Sequence, residues 1–246
     1  MFGVRKAIVL TALLALGGLI VMTPSRGMAE SNGQLGIAVR PLLLPLAVTM
    51  VGVVRGRYWS RWVALAAALA VLPWATILVL TPGDPGFTTR AAIALVASLL
   101  LLLSLLGRPM FDRYEGSARH VDWSGHRMSL VRWTIVFNLA SLLNLYLFIA
   151  GYRYRVEWHI VIPAMVLVGL TFGLLLLQRQ KTVGLLVVAL SGLLFLPAGG
   201  YFVWKEATYA GEATLFAVLF LPGILAAGAT LLAFAGPMYR YFRDAA

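Results

Sequence analysis

Apolar residues along this chain form eight long runs, separated by short segments that hold most of the charged and turn-forming residues. Each run has about 17 to 25 residues, the length that an α-helix needs to cross the hydrocarbon core of a bilayer. The runs are continuously apolar, and open strands would leave backbone groups unpaired in lipid, so helices are predicted throughout. The runs are Ala7–Thr23, Gly36–Val54, Trp62–Leu80, Ala91–Gly107, Trp133–Ala150, Trp158–Leu177, Thr182–Trp204 and Ala213–Gly236.

This pattern predicts an all-α fold, a polytopic transmembrane helical bundle of about eight spans. The first run has two interpretations, because Arg5 and Lys6 precede it and the small-x-small sequence Gly27-Met28-Ala29 follows it. Such flanks are typical of a secretory signal peptide. Residues 1–29 are therefore either the first anchor helix, which the length of the run favours, or a cleaved signal that would leave seven spans.

The distribution of positive charge predicts the orientation of the bundle. Fourteen of the 20 Lys and Arg residues lie on the side that holds both termini, and the other six lie on the opposite side. Positive charge is concentrated on the cytoplasmic side of membrane proteins. We therefore expect both termini in the cytoplasm and the chain in the cell (inner) membrane as a multi-pass protein.

The longest loop, residues 108–132, divides the single predicted membrane domain (1–246) into possible halves of four helices each, 1–107 and 133–246. Proline positions give a weak indication of an internal repeat, since Pro45 and Pro163 come early in their runs and Pro73 and Pro197 come late. Transporters often contain repeats of this kind. Proline is also common in unrelated membrane helices, so the sequence leaves the repeat open.

Composition agrees with the span pattern. The chain is 61% hydrophobic and 12% charged, with a mean hydropathy of +0.89. Its net charge of +11 comes from basic residues scattered in ones to threes at the ends of apolar runs. Lipid headgroups explain such residues better than nucleic acid, which needs a basic surface on a folded domain. The predicted partners are the lipid bilayer and other membrane subunits or further copies of this chain, with no nucleic acid.

Chemistry-bearing residues are few. The chain has no cysteine and only three histidines, His120, His126 and His159, none of which lies within a span opposite another. The sequence therefore predicts no haem, no other cofactor and no metal site. No complete catalytic motif occurs, so a role other than catalysis is favoured.

The fifth predicted helix, Trp133–Ala150, carries four polar residues that we call the polar stripe. At 100° per residue they fall within about 120° of one another, so they share one face of the helix. The stripe would line a solute pathway or would form hydrogen bonds between packed helices. Packing is the simpler interpretation, because ion or proton pathways usually contain an intramembrane carboxylate or lysine as well. The stripe consists of Thr134, Asn138, Ser141 and Asn144.

A second candidate is the pair Pro222 and Gly223 in the eighth run. Proline removes a backbone hydrogen bond, so a helix broken here would expose a free carbonyl. Broken helices line the substrate sites of transporters. The alternative is a static kink at which Gly223 allows a close helix contact.

Three short segments resemble the signature of the type 2 phosphatidic-acid phosphatase superfamily. They are Arg108-Pro109, Ser124-Gly125-His126, and Arg153 with His159 six residues beyond it. The resemblance implies that His159 attacks phosphorus, that His126 protonates the leaving group, and that the two arginines hold the phosphate.

The chain departs from that signature at four positions, which are Leu101, Trp123, Tyr152 and Pro163. Only one predicted helix separates His126 from His159, which places the two imidazoles on opposite membrane faces about 30 Å apart. A lipid phosphatase-like enzyme is therefore the remote alternative.

The leading hypothesis from the sequence is a transport or transport-associated role for a neutral, amphipathic or lipid solute. The alternative is a non-catalytic integral subunit or scaffold of a larger membrane complex, which small loops and alanine- and glycine-rich helix faces would suit.

Overall fold

A computed structural model describes residues 2–22, 40–80, 85–107, 109–110, 114, 133–144, 146, 158–178 and 183–209, with isolated positions near the carboxyl terminus. Every regular element within these ranges is a helix. Three of the described helices are long and apolar enough to cross a membrane, namely Gly3–Met22, Tyr58–Leu80 and Pro85–Leu105. The chain is thus an all-helical membrane protein.

We number the described helices in chain order. A short 3₁₀ turn, Arg40–Leu42, leads into the second helix. The eighth predicted span, Ala213–Gly236, lies outside the described residues except for isolated positions. The helices are α1 (Phe2–Met22), α2 (Leu43–Val54), α3 (Tyr58–Leu80), α4 (Pro85–Leu105), α5 (Trp133–Asn144), α6 (Trp158–Gln178) and α7 (Val183–Tyr209).

Several helices extend beyond the apolar runs that predicted them. α3 begins at Tyr58 rather than Trp62, and α4 begins at Pro85 rather than Ala91. Hydropathy marks the part of a helix that lies in lipid, whereas helical hydrogen bonding continues into polar flanks. Pro85 suits the first position of α4 because its missing N–H would have no partner there. α7 likewise continues through Pro197 to Tyr209, past the predicted end at Trp204.

α2 is shorter than its predicted span. Its α-helical part has 12 residues and the 3₁₀ turn adds three, so it is an apolar helix shorter than a full crossing. Pro41 lies in the 3₁₀ turn and Pro45 lies in the first turn of the α-helix, the one part of a helix where the missing N–H of proline costs nothing. Residues 36–39 of this run lie outside the described part of the chain.

The chain divides into two compact units, Met1–Asp122 and Trp123–Ala246. In the first unit, α1 packs against α2 and α4, and α3 also packs against α2 and α4. The four helices therefore form a ring in which the first helix closes against the fourth. Contacts at the helix ends show that α1 and α3 run antiparallel to α2 and α4.

α1 is packed into this ring along one face. Val9, Ala12, Leu13 and Leu16 are all buried, and their spacing of three and four residues places them on a single stripe. Leu14 and Val21 point outward and are about 60% exposed. α1 therefore packs as an integral helix of the bundle with an outer apolar face that suits lipid.

Small residues allow α3 to lie close to its neighbours. Ala64, Ala66, Ala68 and Ala70 are buried in α3, and Ala97 is buried in α4. Small side chains bring helix backbones close enough for extended van der Waals contact, the main source of helix association in lipid.

The second unit contains an antiparallel pair, α6 and α7. A Cβ atom at Gly173 would lie 2.7 Å from the side chain of Val188 and 3.0 Å from its backbone nitrogen, and one at Gly169 would collide with the Ser191 hydroxyl. Gly169 and Gly173 form a GxxxG pair, so the two backbones touch where side chains are absent. Other positions of α6 are exposed, namely Met165, Val168, Phe172 and Leu175, as a lipid-contacting surface would be.

Candidate functional site

The polar stripe of α5 is buried. Its four residues recur every three or four positions, and their exposed fractions are 2–4%. One face of α5 therefore carries four polar side chains that are shielded from solvent. The exposures are 3% for Thr134, 2% for Asn138, 3% for Ser141 and 4% for Asn144.

Two members of the stripe bond to the backbone of their own helix. The Asn138 Nδ2 donates to the carbonyl of Thr134 at 2.8 Å, and the Ser141 Oγ donates to the carbonyl of Phe137 at 2.8 Å. Bonds of this kind to the carbonyl one turn earlier satisfy a polar group inside a membrane helix.

Asn144 differs from these two residues. Among the described residues, neither its Oδ1 nor its Nδ2 has a hydrogen-bond partner, and the Thr134 Oγ1 is unpartnered as well. An amide offers two N–H donors and a carbonyl acceptor, and burying such groups without partners costs about 1–3 kcal/mol each. The two ends of the stripe thus carry unused hydrogen-bonding capacity without any charge.

The other residues singled out from the sequence fall mostly outside the described part. Pro222 and Gly223 lie there, as do Arg108, His126 and Arg153 of the phosphatase-like segments. His159 lies in the first turn of α6, where the helix is described but the side chain is not.

A second candidate emerges at one end of the first unit, which we call the basic end. It gathers the amino-terminal ends of α1 and α3 with the carboxyl-terminal ends of α2 and α4. Five basic residues lie there, from three separate segments of the chain: Arg5, Lys6, Arg55, Arg57 and Arg61.

Three of these cations bond to helix carboxyl termini. Lys6 Nζ donates to the carbonyl of Val54 at 2.6 Å, which caps α2. Arg61 Nε donates to the carbonyl of Leu105 at 3.0 Å, and Arg5 Nη1 donates to that of Leu106 at 3.5 Å. Neither α2 nor α4 has a basic residue in its own last turn, so cations from α1 and α3 complement both helix dipoles.

The turn between α2 and α3 brings the remaining two arginines together. Gly56 has φ of 66°, the left-handed conformation that glycine adopts without strain. Arg57 N donates to the carbonyl of Gly52 at 2.9 Å and Gly56 N donates to that of Val53 at 3.2 Å, the paired bonds of a Schellman motif. Arg55 and Arg57 on either side of Gly56 are exposed.

This turn borders an open cavity of about 430 Å³ lined by Arg55, Gly56, Arg57 and Tyr58. The sequence analysis used these arginines to orient the bundle and attributed basic residues at the ends of apolar runs to lipid headgroups in general, without identifying this turn as a site. The signal that could have identified them is the segment Arg55-Gly56-Arg57 itself, in which a glycine that ends a helix lies between two guanidinium groups.

Comparison with known proteins adds no information on function to the description of the fold. The chain matches no protein-family model, and no curated protein and no solved structure is similar to it.

Proposed function

We propose that this protein is a multi-pass protein of the cell (inner) membrane, with about eight spans and both termini in the cytoplasm, that takes part in moving a neutral, amphipathic or lipid solute. In this proposal the polar stripe of α5 faces the solute pathway. The observation that carries it is the Asn144 amide, which is 4% exposed and whose two polar atoms have no partner in the part of the chain that the structure describes.

The argument rests on the difference between the members of the stripe. A polar residue that serves packing is stabilising only when its hydrogen bonds are made, as those of Asn138 and Ser141 are. An unsatisfied amide in an apolar protein is destabilising by about 1–3 kcal/mol, and leucine would fit the same space without that penalty. Asn144 is therefore better explained by a ligand that supplies its hydrogen bonds.

The chemistry of the stripe suits a neutral solute. Hydroxyl and amide groups donate and accept hydrogen bonds, and none of the four side chains is charged near pH 7. A solute with hydroxyl, ether, ester or amide groups would exchange hydrogen bonds with such a surface without leaving a buried charge.

The alternative is an integral subunit of a larger complex, in which a partner helix supplies the missing bonds to Asn144. The outward apolar faces of α4 and α6 are compatible with this alternative and with lipid contact alike, because both partner helices and acyl chains can cover such faces. The two proposals differ in what the Asn144 amide bonds, a solute or a polypeptide.

The test is purification in mild detergent followed by mass spectrometry of everything that remains bound. Transport predicts that wild-type protein retains a small molecule or lipid that Asn144→Leu loses, while Ala140→Leu, which alters a buried apolar position of the same helix, retains it. A stoichiometric protein partner with no small molecule, lost in Asn144→Leu, would replace the transport proposal with the subunit.

A further inference from the structure

The basic end contains two kinds of cation. Lys6 and Arg61 are engaged with the carbonyls that end α2 and α4, and Arg61 is only 7% exposed. Arg55 and Arg57 are exposed, and neither is paired with a carboxylate among the described residues. The first group stabilises the helix ends, whereas the side chains of the second group bond no helix end among the described residues.

The charge at this end is not balanced within the described residues of the first unit. They include seven Lys and Arg residues and no Asp or Glu, and five of the seven lie at the basic end. A carbonyl partner satisfies the N–H groups of a cation but does not neutralise its charge. An anion at the turn would therefore be attracted by several cations at once.

The geometry of the turn fits a phosphate group. The Schellman bonds hold Arg55 and Arg57 in one fixed turn, and their guanidinium groups can each present paired N–H donors to phosphate oxygens. α3 begins at Tyr58, so the positive end of its helix dipole lies beside the same cavity. Tyr58 also lines the cavity, and its side chain carries a hydroxyl that can donate a hydrogen bond.

The surroundings of the turn point to a lipid rather than a free anion. Val51 and Val54, in the last turn of α2, are 50% and 54% exposed directly beside the cationic turn. Tyr58 and Trp62 pack edge to face at 5.4 Å in the first turns of α3. Aromatic residues of this kind mark the depth of lipid headgroups, and the exposed valines lie where acyl chains begin.

We propose that the α2–α3 turn is a binding site for the phosphate headgroup of an anionic phospholipid. Arg55 and Arg57 hold the phosphodiester, Tyr58 and the start of α3 contribute donors, and Val51 and Val54 contact the upper acyl chain. The site is built from residues of the first unit alone, and it does not depend on a transport role.

The test compares lipid retention by two double variants of the purified full chain, measured by native mass spectrometry after adding phosphatidylglycerol or phosphatidylcholine. Arg55→Gln with Arg57→Gln should lower phosphatidylglycerol binding about tenfold, because two charge-assisted contacts are lost. Arg40→Gln with Arg90→Gln, which removes two exposed arginines outside the basic end, should change it less than about twofold. Equal effects of the two double variants, or equal binding of both lipids by the wild type, would overturn the proposal.

A further measurement distinguishes a headgroup from free phosphate. Inorganic phosphate in large excess should leave phosphatidylglycerol bound, because the acyl contact with Val51 and Val54 belongs to the lipid alone. Displacement of the lipid by inorganic phosphate would show an anion site without lipid recognition and would overturn the proposal. Unchanged thermal unfolding of the Arg55→Gln, Arg57→Gln protein shows that the variant is folded.

Discussion

The basic end of the first unit and the polar stripe of α5 both place polar side chains inside an apolar helical protein, but they differ in what those side chains bond. At the basic end, buried Ser60, Arg61 and Tyr114 each bond a backbone carbonyl. On α5, neither polar atom of the Asn144 amide has a hydrogen-bond partner among the described residues. A buried polar group with its partners made stabilises the fold, and one without them is destabilising unless something else supplies its hydrogen bonds.

The comparison separates two roles of polar side chains, one in stability and one in binding. The cations of α1 and α3 bond the carbonyls at the carboxyl-terminal ends of α2 and α4, so their effect is on stability. The end of the polar stripe makes no such contribution, so its effect should be on binding. The predictions below test this division, beginning with the largest expected effect.

Removal of residues 1–29 should abolish the folded first unit. The deletion takes away the buried stripe of α1 that includes Val9 and Leu13, and also the two cations that cap α2 and α4. Size-exclusion chromatography in detergent should show aggregation of the shortened chain. Intact-mass measurement and chromatography of the mature protein provide the opposing outcome. If the mature protein lacked residues 1–29 and still gave a monodisperse profile, the structural role given to α1 would be contradicted and the signal-peptide interpretation would be established.

Arg61→Met should lower the free energy of unfolding by about 2–3 kcal/mol. The substitution keeps most of the side-chain volume but leaves the carbonyl of Leu105 without its charged donor in a buried position. Thermal unfolding in detergent measures the loss. Arg90→Met, at an exposed position of α4, is the control and should change stability by less than about 0.5 kcal/mol. Equal stability of the two variants would show that the cap on α4 is not stabilising.

Gly56→Ala should cost about 1–2 kcal/mol, because alanine is strained at φ of 66° although nothing lies within 4 Å of the added Cβ. Gly18→Ala, in the middle of α1 with equally open space, should be neutral or slightly stabilising. Denaturant titration followed by circular dichroism compares the two. A neutral Gly56→Ala would mean that the turn is not held in the left-handed conformation.

Asn144→Leu should have the smallest effect on stability, within about 0.5 kcal/mol of the wild type or on the stabilising side, because it removes an amide without partners. Asn138→Leu should cost about 1 kcal/mol, since the Asn138 amide bonds the carbonyl of Thr134. Thermal unfolding of the two variants in the same detergent is the measurement. If Asn144→Leu lowered stability more than Asn138→Leu, Asn144 would have a structural partner. That result would favour the subunit alternative.

The sequence predicted the helical class and several helix ends well. The predicted ends at Val54 and Leu80 and the predicted starts at Trp133 and Trp158 agree with the helices of the structure. Starts with polar first turns were missed, as at Tyr58 in α3, because lipid immersion and helical hydrogen bonding have different limits. Eight spans and the orientation of the termini remain predictions.

The two candidate sites differ in how much of each could be predicted from the sequence. The shared face of the polar stripe follows from helical spacing alone, but the bonds that distinguish Asn138 from Asn144 depend on the folded surroundings. The basic end could not be predicted as a cluster, because it joins residues far apart in the chain, such as Arg5 and Leu106. Contacts between distant segments leave no periodic pattern in a sequence.

The central claim is that the Asn144 face of α5, although only 4% exposed in this structure, borders a pathway that opens to solute, and cysteine accessibility tests it most directly. The chain contains no cysteine, so each introduced thiol is the single reactive site without further engineering. Asn144→Cys, and Ala140→Cys as a buried control on the same helix, would be reconstituted in lipid vesicles and treated with a charged methanethiosulfonate reagent. The account predicts a mass increase for Asn144→Cys and none for Ala140→Cys until the protein is unfolded in dodecyl sulfate. Protection of both cysteines in the folded protein would contradict it.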